Sequence, residues 1–173
     1  MNIREEILAE HSRKQGLKIA GWIGNDKKRF SRFLDLFLHD EYRVVQRSAQ
    51  VLGFIADEHP ELIEQNIHKI VNRLFDDNIH IAVKRNVVRI LQFVHIPENL
   101  HAKVINICMA YLSNPDETVA VRCFSMTVLT NLSKVYPELK SEIISVLNSR
   151  FMGSSAGLKA RVKKVFKDLE KVN

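Results

Sequence analysis

An all-α fold, built from helical hairpins that repeat along the chain, is predicted by three features of this sequence. The tetrapeptide HPEL (59–62) returns almost unchanged in IPENL (96–100) and YPEL (136–139), so the same element recurs every 37 to 40 residues. Apolar residues after each copy are spaced by three and four, which is the spacing of an amphipathic helix. No Asn-Gly or Asp-Gly pair, a strong signal of a β-hairpin, lies between these segments.

Each Pro-Glu element begins the first helix of a predicted hairpin. Proline suits the first position of a helix, where its missing N–H would have no partner, and glutamate just inside the start meets the positive end of the helix dipole. The three predicted first helices cover 60–77, 97–114 and 137–151. In the earliest of them, one apolar stripe holds Leu62, Ile63, Ile67, Ile70, Val71 and Leu74.

A second helix precedes each Pro-Glu element, and the second helices can be superposed on one another. The matching segments are 41–57, 79–95 and 117–134, aligned at Leu52, Leu91 and Leu129. The tail aligns once more through Phe166, and the front aligns in part through residues 19–23. Short polar turns at 39–41, 76–78 and 114–117 fit tight helix–helix connections, because Asp and Asn favour helix starts.

The repeating unit is therefore a helical hairpin of about 38 residues. A single hairpin cannot bury its apolar stripe, whereas hairpins stacked side by side can. We predict one domain over 1–173, with eight helices in four hairpins after residue 25 and one or two helices before it. The predicted repeats are a partial unit at 1–24 and full units at 25–57, 58–95, 96–135 and 136–173.

This pattern resembles the HEAT-repeat proteins over roughly residues 25–170. The resemblance is carried by the period, by the acidic turns and by a Val-Arg-like pair that opens the second helix, as in Val121-Arg122. It implies an armadillo-like solenoid, a right-handed α–α superhelix whose second helices line the concave face. It also implies an ion-pair ladder between neighbouring repeats, for which Asp116 and Arg122 have the family's spacing.

The composition predicts a cytoplasmic chain that does not enter a membrane. The first fifteen residues are too charged for a signal peptide, and no stretch has the ~20 consecutive apolar residues of a membrane span. Cys108 and Cys123 lie in apolar helical contexts, which is typical of buried, reduced thiols. We therefore expect the cytoplasm, without a disulfide framework.

Patterns that carry catalysis or metal binding are missing from the sequence. The seven histidines are scattered without a His-X-X-X-His pair, and neither a Gly-rich phosphate loop nor a Gly-X-Ser-X-Gly elbow occurs. We expect no catalytic residue, no metal site and no cofactor. The question of an enzyme stays open, with a non-enzymatic protein favoured.

Basic residues concentrate on the second helices, where 12 Lys and Arg accompany 3 Asp and Glu, against 9 and 7 on the first helices. A row of like charges along a groove can follow a phosphate backbone. The candidate polyanion-binding residues are Arg43, Arg47, Arg85, Arg89, Arg161 and Lys164. The alternative is a solvated face with a charged, solubilising last helix, which contributes five of the twelve bases.

A column of aromatic residues runs beside these bases. Trp22, Phe54 and Phe93 occupy one position of the repeat, where they could stack on a nucleobase or a partner peptide. The alternative, which we favour, is packing between adjacent second helices.

Two functions agree with these observations. The favoured one is a non-enzymatic interaction module that binds a partner protein along its concave groove. The alternative is a nucleic-acid-binding protein, or a glycosylase of the DNA-alkylation-repair kind, that uses a basic concave groove. The chain is similar in fold to the bacterial alkylpurine DNA glycosylases. Those enzymes use several tryptophans and an acidic residue, whereas this chain has one Trp and only Asp168 as a carboxylate near its expected groove.

Overall fold

The computed structural model describes residues 1–151 and 156–172, and all regular structure in those ranges is helical. This confirms the predicted all-α class. The helices are α1 (Ile3–Ala9), α2 (Arg13–Ile23), α3 (Lys27–His39), α4 (Tyr42–Glu58), α5 (Pro60–Glu64), α6 (Ile67–Asn72), α7 (Ile81–Ile90), α8 (Glu98–Ser113), α9 (Val119–Leu132), α10 (Leu139–Arg150) and α11 (Ala156–Leu169), with a 3-10 turn at Arg73–Phe75.

The described helices follow the predicted hairpins with one difference. Two helices precede residue 25, and the hairpins after it are α3–α4, α5–α6–α7, α8–α9 and α10–α11. The first helix of the second hairpin is interrupted between Glu64 and Ile67. Asn66 leaves the helical region of backbone space, with φ −121° and ψ 11°, and its side-chain amide donates to the carbonyl of Leu62 at 3.0 Å. A polar side chain thus replaces the helical hydrogen bond at this point.

The starts of α7 and α9 are capped by side chains of different kinds. The Nδ1 atom of His80 accepts a hydrogen bond from the Ala82 N–H at 2.9 Å at the start of α7. Thr118 caps α9 by accepting from the Val121 N–H at 3.5 Å. A side-chain oxygen or nitrogen at this position satisfies a backbone donor that the helix leaves unpaired.

Neither Asp116 nor Arg122, the two residues with the family's ladder spacing, forms an ion pair among the described residues. The Arg122 guanidinium lies 4.3 Å from the centre of the Phe151 ring, and no ion pair joins it to Asp116, although both residues are described. The backbone N–H of Asp116 donates instead to the Asn114 side chain at 3.0 Å, within the turn. Arg122 thus contacts an aromatic face and Asp116 stays within its turn.

The chain divides into two compact units, Met1–Ile96 and Pro97–Asn173. In the first, α4 is the central helix and packs against α1, α2, α3, α5 and α7. In the second, α9 packs against α8, α10 and α11. Leu52 and Leu129, which share one repeat position, are fully buried in these two central helices. The single domain over 1–173 and the right-handed superhelix stay predictions.

Ser48 is buried in the middle of α4, where an apolar residue would be expected. Its side chain is fully buried, and its hydroxyl has no hydrogen-bond partner among the described residues. A buried polar group without a partner costs about 1–3 kcal/mol of desolvation free energy. Val87 occupies the equivalent position of the next repeat and is also fully buried.

Replacing Ser48 by alanine should therefore raise the free energy of unfolding by about 1 kcal/mol, because it removes the unsatisfied hydroxyl. Urea denaturation followed by circular dichroism measures this change. Ser31→Ala on the exposed face of α3 is the control, since it changes helix propensity alone and should have a smaller effect. Equal stabilisation by the two substitutions would contradict the assignment of a desolvation cost to Ser48.

Candidate functional site

A groove of about 860 Å³ runs over the second helices of the first unit. Three helices form it, because α4 packs against α2 on one side and against α7 on the other. The side chains that line it include Arg13, Leu17, Gln46, Gln50, Phe54, Asp57, Glu58, Arg85, Asn86 and Arg89. We call it the unit 1 groove. It lies on the helices that the charge distribution indicated.

Two glycines allow the helices beneath this groove to approach each other closely. A Cβ atom built on Gly16 of α2 would lie 2.7 Å from the ring of Phe54 on α4. A Cβ atom on Gly53 would lie 3.2 Å from the guanidinium of Arg89 on α7. Larger residues would have to push these side chains away, so the glycines determine where Phe54 and Arg89 sit.

Arg89 lies in the groove, but its charge is compensated. Its Nη2 atom donates to both carboxylate oxygens of Asp57, at 2.9 and 3.0 Å. Its guanidinium also lies 5.6 Å from the centre of the Phe93 ring. The predicted polyanion contact therefore has an intramolecular competitor, because a phosphate would have to displace a carboxylate that is already in place.

Arg85 is the predicted groove cation that stays available. Its side chain is exposed and lines the groove one turn before Arg89. Within the described residues it makes no ion pair or side-chain hydrogen bond. Arg13, at the start of α2, is likewise exposed on the groove and has no such partner in the same part of the chain. Two uncompensated cations thus face this groove.

Arg47 and Arg43 do not line the groove. The Nη1 atom of Arg47 donates to the backbone carbonyls of Ile7 and Leu8, at 3.1 and 2.8 Å, and so holds the last turn of α1 against α4. Arg43 is exposed elsewhere on α4. Of the four candidate arginines in this unit, two therefore face the groove, one is structural and one lies outside it.

The aromatic column divides in the same way. Only Phe54 lines the groove. The ring of Trp22 is half-buried beneath the guanidinium of Arg29 from α3, at 4.7 Å, and the side chain of Phe93 is 47% exposed beside Arg89. The three aromatics thus share a repeat position without forming one surface, since each has a different neighbour.

The remaining two candidates, Arg161 and Lys164, belong to the second unit. They line a smaller pocket of about 330 Å³ between α9 and α11, together with Lys134, Asp168 and Lys171. The Arg161 guanidinium donates a hydrogen bond to the Thr127 hydroxyl. We call this concavity the α9–α11 pocket.

Sequence reasoning missed the residues that decide the charge of both concavities. Asp57, Lys134 and Lys171 each lie five residues after the central apolar residue of their own second helix. This repeat position carries Asp57 and Ile96 in the first unit and two lysines in the second. Reading the repeats in register at that position would have indicated the difference.

Metal binding, a reactive thiol and a membrane span find little support in the described residues. No group of three or more His, Cys, Asp or Glu side chains in 1–151 and 156–172 could hold a metal ion. Burial raises the pKa of the Cys108 thiol to about 12, so this thiol is protonated at neutral pH and is a poor nucleophile. No helix in this part of the chain is long and apolar enough to cross a membrane.

Paired helices in register, with a groove along the second members, define a helical-repeat protein of the interaction type. A family model described as a HEAT repeat domain matches residues 3–169, and the chain belongs to this family. HEAT repeat domains are protein-interaction modules, which gives the broad class of this protein. No curated protein and no solved structure matches the chain. The similarity to DNA glycosylases has no support in these comparisons.

Proposed function

We propose that this chain is a non-enzymatic interaction module whose unit 1 groove binds a segment of a partner protein. The observation that carries the proposal is the groove itself. Its volume of about 860 Å³ lies at the large end of the range that protein clefts offer to ligands. Three helices of one compact unit form it, so its walls are supported by packing rather than by loops.

The side chains of the groove favour a partner segment of defined chemistry. Leu17, although 42% exposed, and Phe54 offer apolar surface for one buried anchor side chain. Gln46 and Gln50 offer amide groups that can pair with the backbone of an extended peptide. Arg85 offers an uncompensated cation for a carboxylate. The expected ligand is therefore a peptide with an Asp or Glu close to an apolar residue.

A displayed library of random peptides, selected on the full-length protein, tests this proposal. We expect the selected sequences to be enriched in an acidic residue near an apolar one. Arg85→Glu should lower the affinity for the corresponding synthetic peptides by about tenfold or more, as measured by fluorescence anisotropy. The substitution replaces attraction for the acidic residue by repulsion. Arg43→Glu is the matched control, with the same charge change on an exposed arginine outside the groove, and it should leave the affinity within about twofold.

Two results would overturn the proposal. One is a set of selected peptides whose affinity is equal for wild type, Arg85→Glu and Phe54→Ala. The other is protection from amide hydrogen exchange that appears in the second unit alone when such a peptide binds. Either would mean that the unit 1 groove is not the docking surface.

Nucleic-acid binding is the second candidate function, and the cluster of lysines in the α9–α11 pocket favours it. The first unit supports it less, because Arg47 and Arg89 already have partners within the chain. A mobility-shift assay with plain duplex DNA at low salt tests it. If only about two contacts form on the unit 1 groove, the slope of log K against log salt should be about −2.

A further inference from the structure

The α9–α11 pocket is lined by four cations and one carboxylate. Lys134 lies two residues beyond the end of α9, Lys164 lies on α11, and Lys171 lies just beyond α11. Asp168 compensates only Lys171, whose Nζ atom is 3.5 Å from its carboxylate. Lys134 and Lys164 are both exposed and make no ion pair within the described residues.

The equivalent place in the first unit is electrically different. There Asp57 accepts two hydrogen bonds from Arg89 and so compensates the charge of that arginine. The same repeat position carries Lys134 and Lys171 in the second unit, so that a cation stands at the position that Asp57 occupies in its own repeat. Lys134 and Lys164 of the α9–α11 pocket therefore have no ion-pair partner among the described residues, beside the pair of Lys171 with Asp168.

The walls of the pocket are held in position by hydrogen bonds. Thr127 accepts a hydrogen bond from the guanidinium of Arg161, which fixes that cation at the wall. The hydroxyl of Thr130 donates to the Met126 carbonyl at 2.7 Å. Lys140 of α10 donates to the Val172 carbonyl at 3.1 Å and so ties the end of the described chain to the rim. Such support reduces the entropy that a ligand must pay for ordering its site.

We propose that the α9–α11 pocket binds a phosphate monoester in its dianionic form. Lysine ammonium groups and an arginine side chain are the usual partners of phosphate oxygens. The volume of about 330 Å³ lies at the small end of ligand pockets, which suits one phosphorylated group. The four cations line one small concavity, which favours a single anion over an extended row of phosphates. A duplex would present its phosphates in a row. This proposal is independent of the unit 1 groove.

Titration of the full-length protein with O-phosphoserine, followed by calorimetry and by amide chemical shifts, tests the proposal. The second proton of a phosphate monoester is lost with a pKa of about 6. Binding should therefore strengthen by about tenfold between pH 5 and pH 7.5, since the ligand gains its second negative charge over this range. Sulfate is the control anion, because it is dianionic throughout, and its affinity should change little.

Paired substitutions locate the site. The double substitution of Lys134→Gln and Lys164→Gln should lower the affinity for O-phosphoserine by about tenfold or more, because two charged donors are lost. The matched control is Lys163→Gln with Lys167→Gln, which removes the same charge from exposed lysines of α11 that do not line this pocket. The control should bind like wild type. Arg85→Glu should also bind like wild type, which separates this result from that of the peptide selection.

Three results would overturn the proposal. The first is no binding of O-phosphoserine at low salt. The second is equal weakening by the pocket pair and the control pair, which would indicate a diffuse charge effect. The third is binding of duplex DNA that depends on Lys134 and Lys164 while phosphoserine fails to compete. The affinities for free O-phosphoserine and for a phosphoserine peptide then show whether the ligand is a small molecule or a modified protein. Tighter binding of either one supports the site.

Discussion

Replacing Leu52 by alanine should lower the free energy of unfolding of the first unit by about 2–5 kcal/mol. Leu52 is fully buried in α4, the helix against which five others pack in that unit. The substitution removes apolar contacts and leaves a cavity that the surrounding helices can fill only in part, because each is held by its own neighbours. Urea denaturation with circular dichroism as the signal measures the loss.

Leu17→Ala is the matched control for this prediction. It makes the same chemical change in the same unit, but the Leu17 side chain is 42% exposed. Its truncation should cost less than about 1 kcal/mol, because little buried volume is lost. Similar destabilisation by both substitutions would mean that α4 is not the centre of the core, and the repeat alignment at Leu52 would then be wrong.

Replacing Arg47 by methionine should lower the free energy of unfolding by about 2 kcal/mol and release α1. Hydrogen bonds from a charged donor contribute about 1.5–3 kcal/mol, and the guanidinium makes two of them to carbonyls at the end of α1. α1 has seven residues, too few for a stable isolated helix. Amide hydrogen exchange should therefore accelerate over Ile3–Ala9 more than elsewhere in the first unit.

Arg43→Met controls for the loss of positive charge and of a long side chain on α4. Arg43 is exposed and has no ion pair or side-chain hydrogen bond among the described residues, so its replacement should change stability by no more than about 0.5 kcal/mol. Unchanged exchange of α1 in Arg47→Met would show that the two carbonyl contacts do not hold this helix.

Substitution of Arg47 would change the structure of the first unit and not a contact of the groove. A loss of ligand binding in an Arg47 variant could follow from the release of α1, because Arg47 does not line the unit 1 groove. Arg85 is the better probe of the groove, since its side chain is exposed and uncompensated. Variants at these two positions separate structural damage from loss of a contact.

Local patterns were sufficient to predict most of the helical hairpins. Apolar spacing and the Pro-Glu elements predicted the first helices. The repeat alignment predicted that Leu52 and Leu129 are buried at equivalent positions, and both are fully buried. The interruption at Asn66 was not predicted. Asn is a common polar residue on helix surfaces, and only the tertiary structure determines whether its amide turns back onto a carbonyl, as it does here onto Leu62.

The candidate site was predicted as a face but not as a set of contacts. Repeat alignment assigned Arg85, Arg89 and Phe54 to a groove on the second helices; all three line the unit 1 groove, and their roles in binding stay predictions. It could not indicate that Arg89 would bind Asp57, which lies 32 residues earlier in the chain. A pairing across two helices depends on their separation, and Gly53 helps to set that separation.

By itself the sequence determined the helical class, the repeat period and the helices that carry the basic residues, because these depend on spacing along the chain and on local propensity. The tertiary structure decided which of those charges remain available. Arg47 donates to carbonyls of α1 and Arg89 donates to Asp57. Lys134 and Lys164 line a pocket and have no ion-pair partner among the described residues. A long cationic side chain binds whichever acceptor the fold brings within hydrogen-bond distance, and helix packing sets that distance.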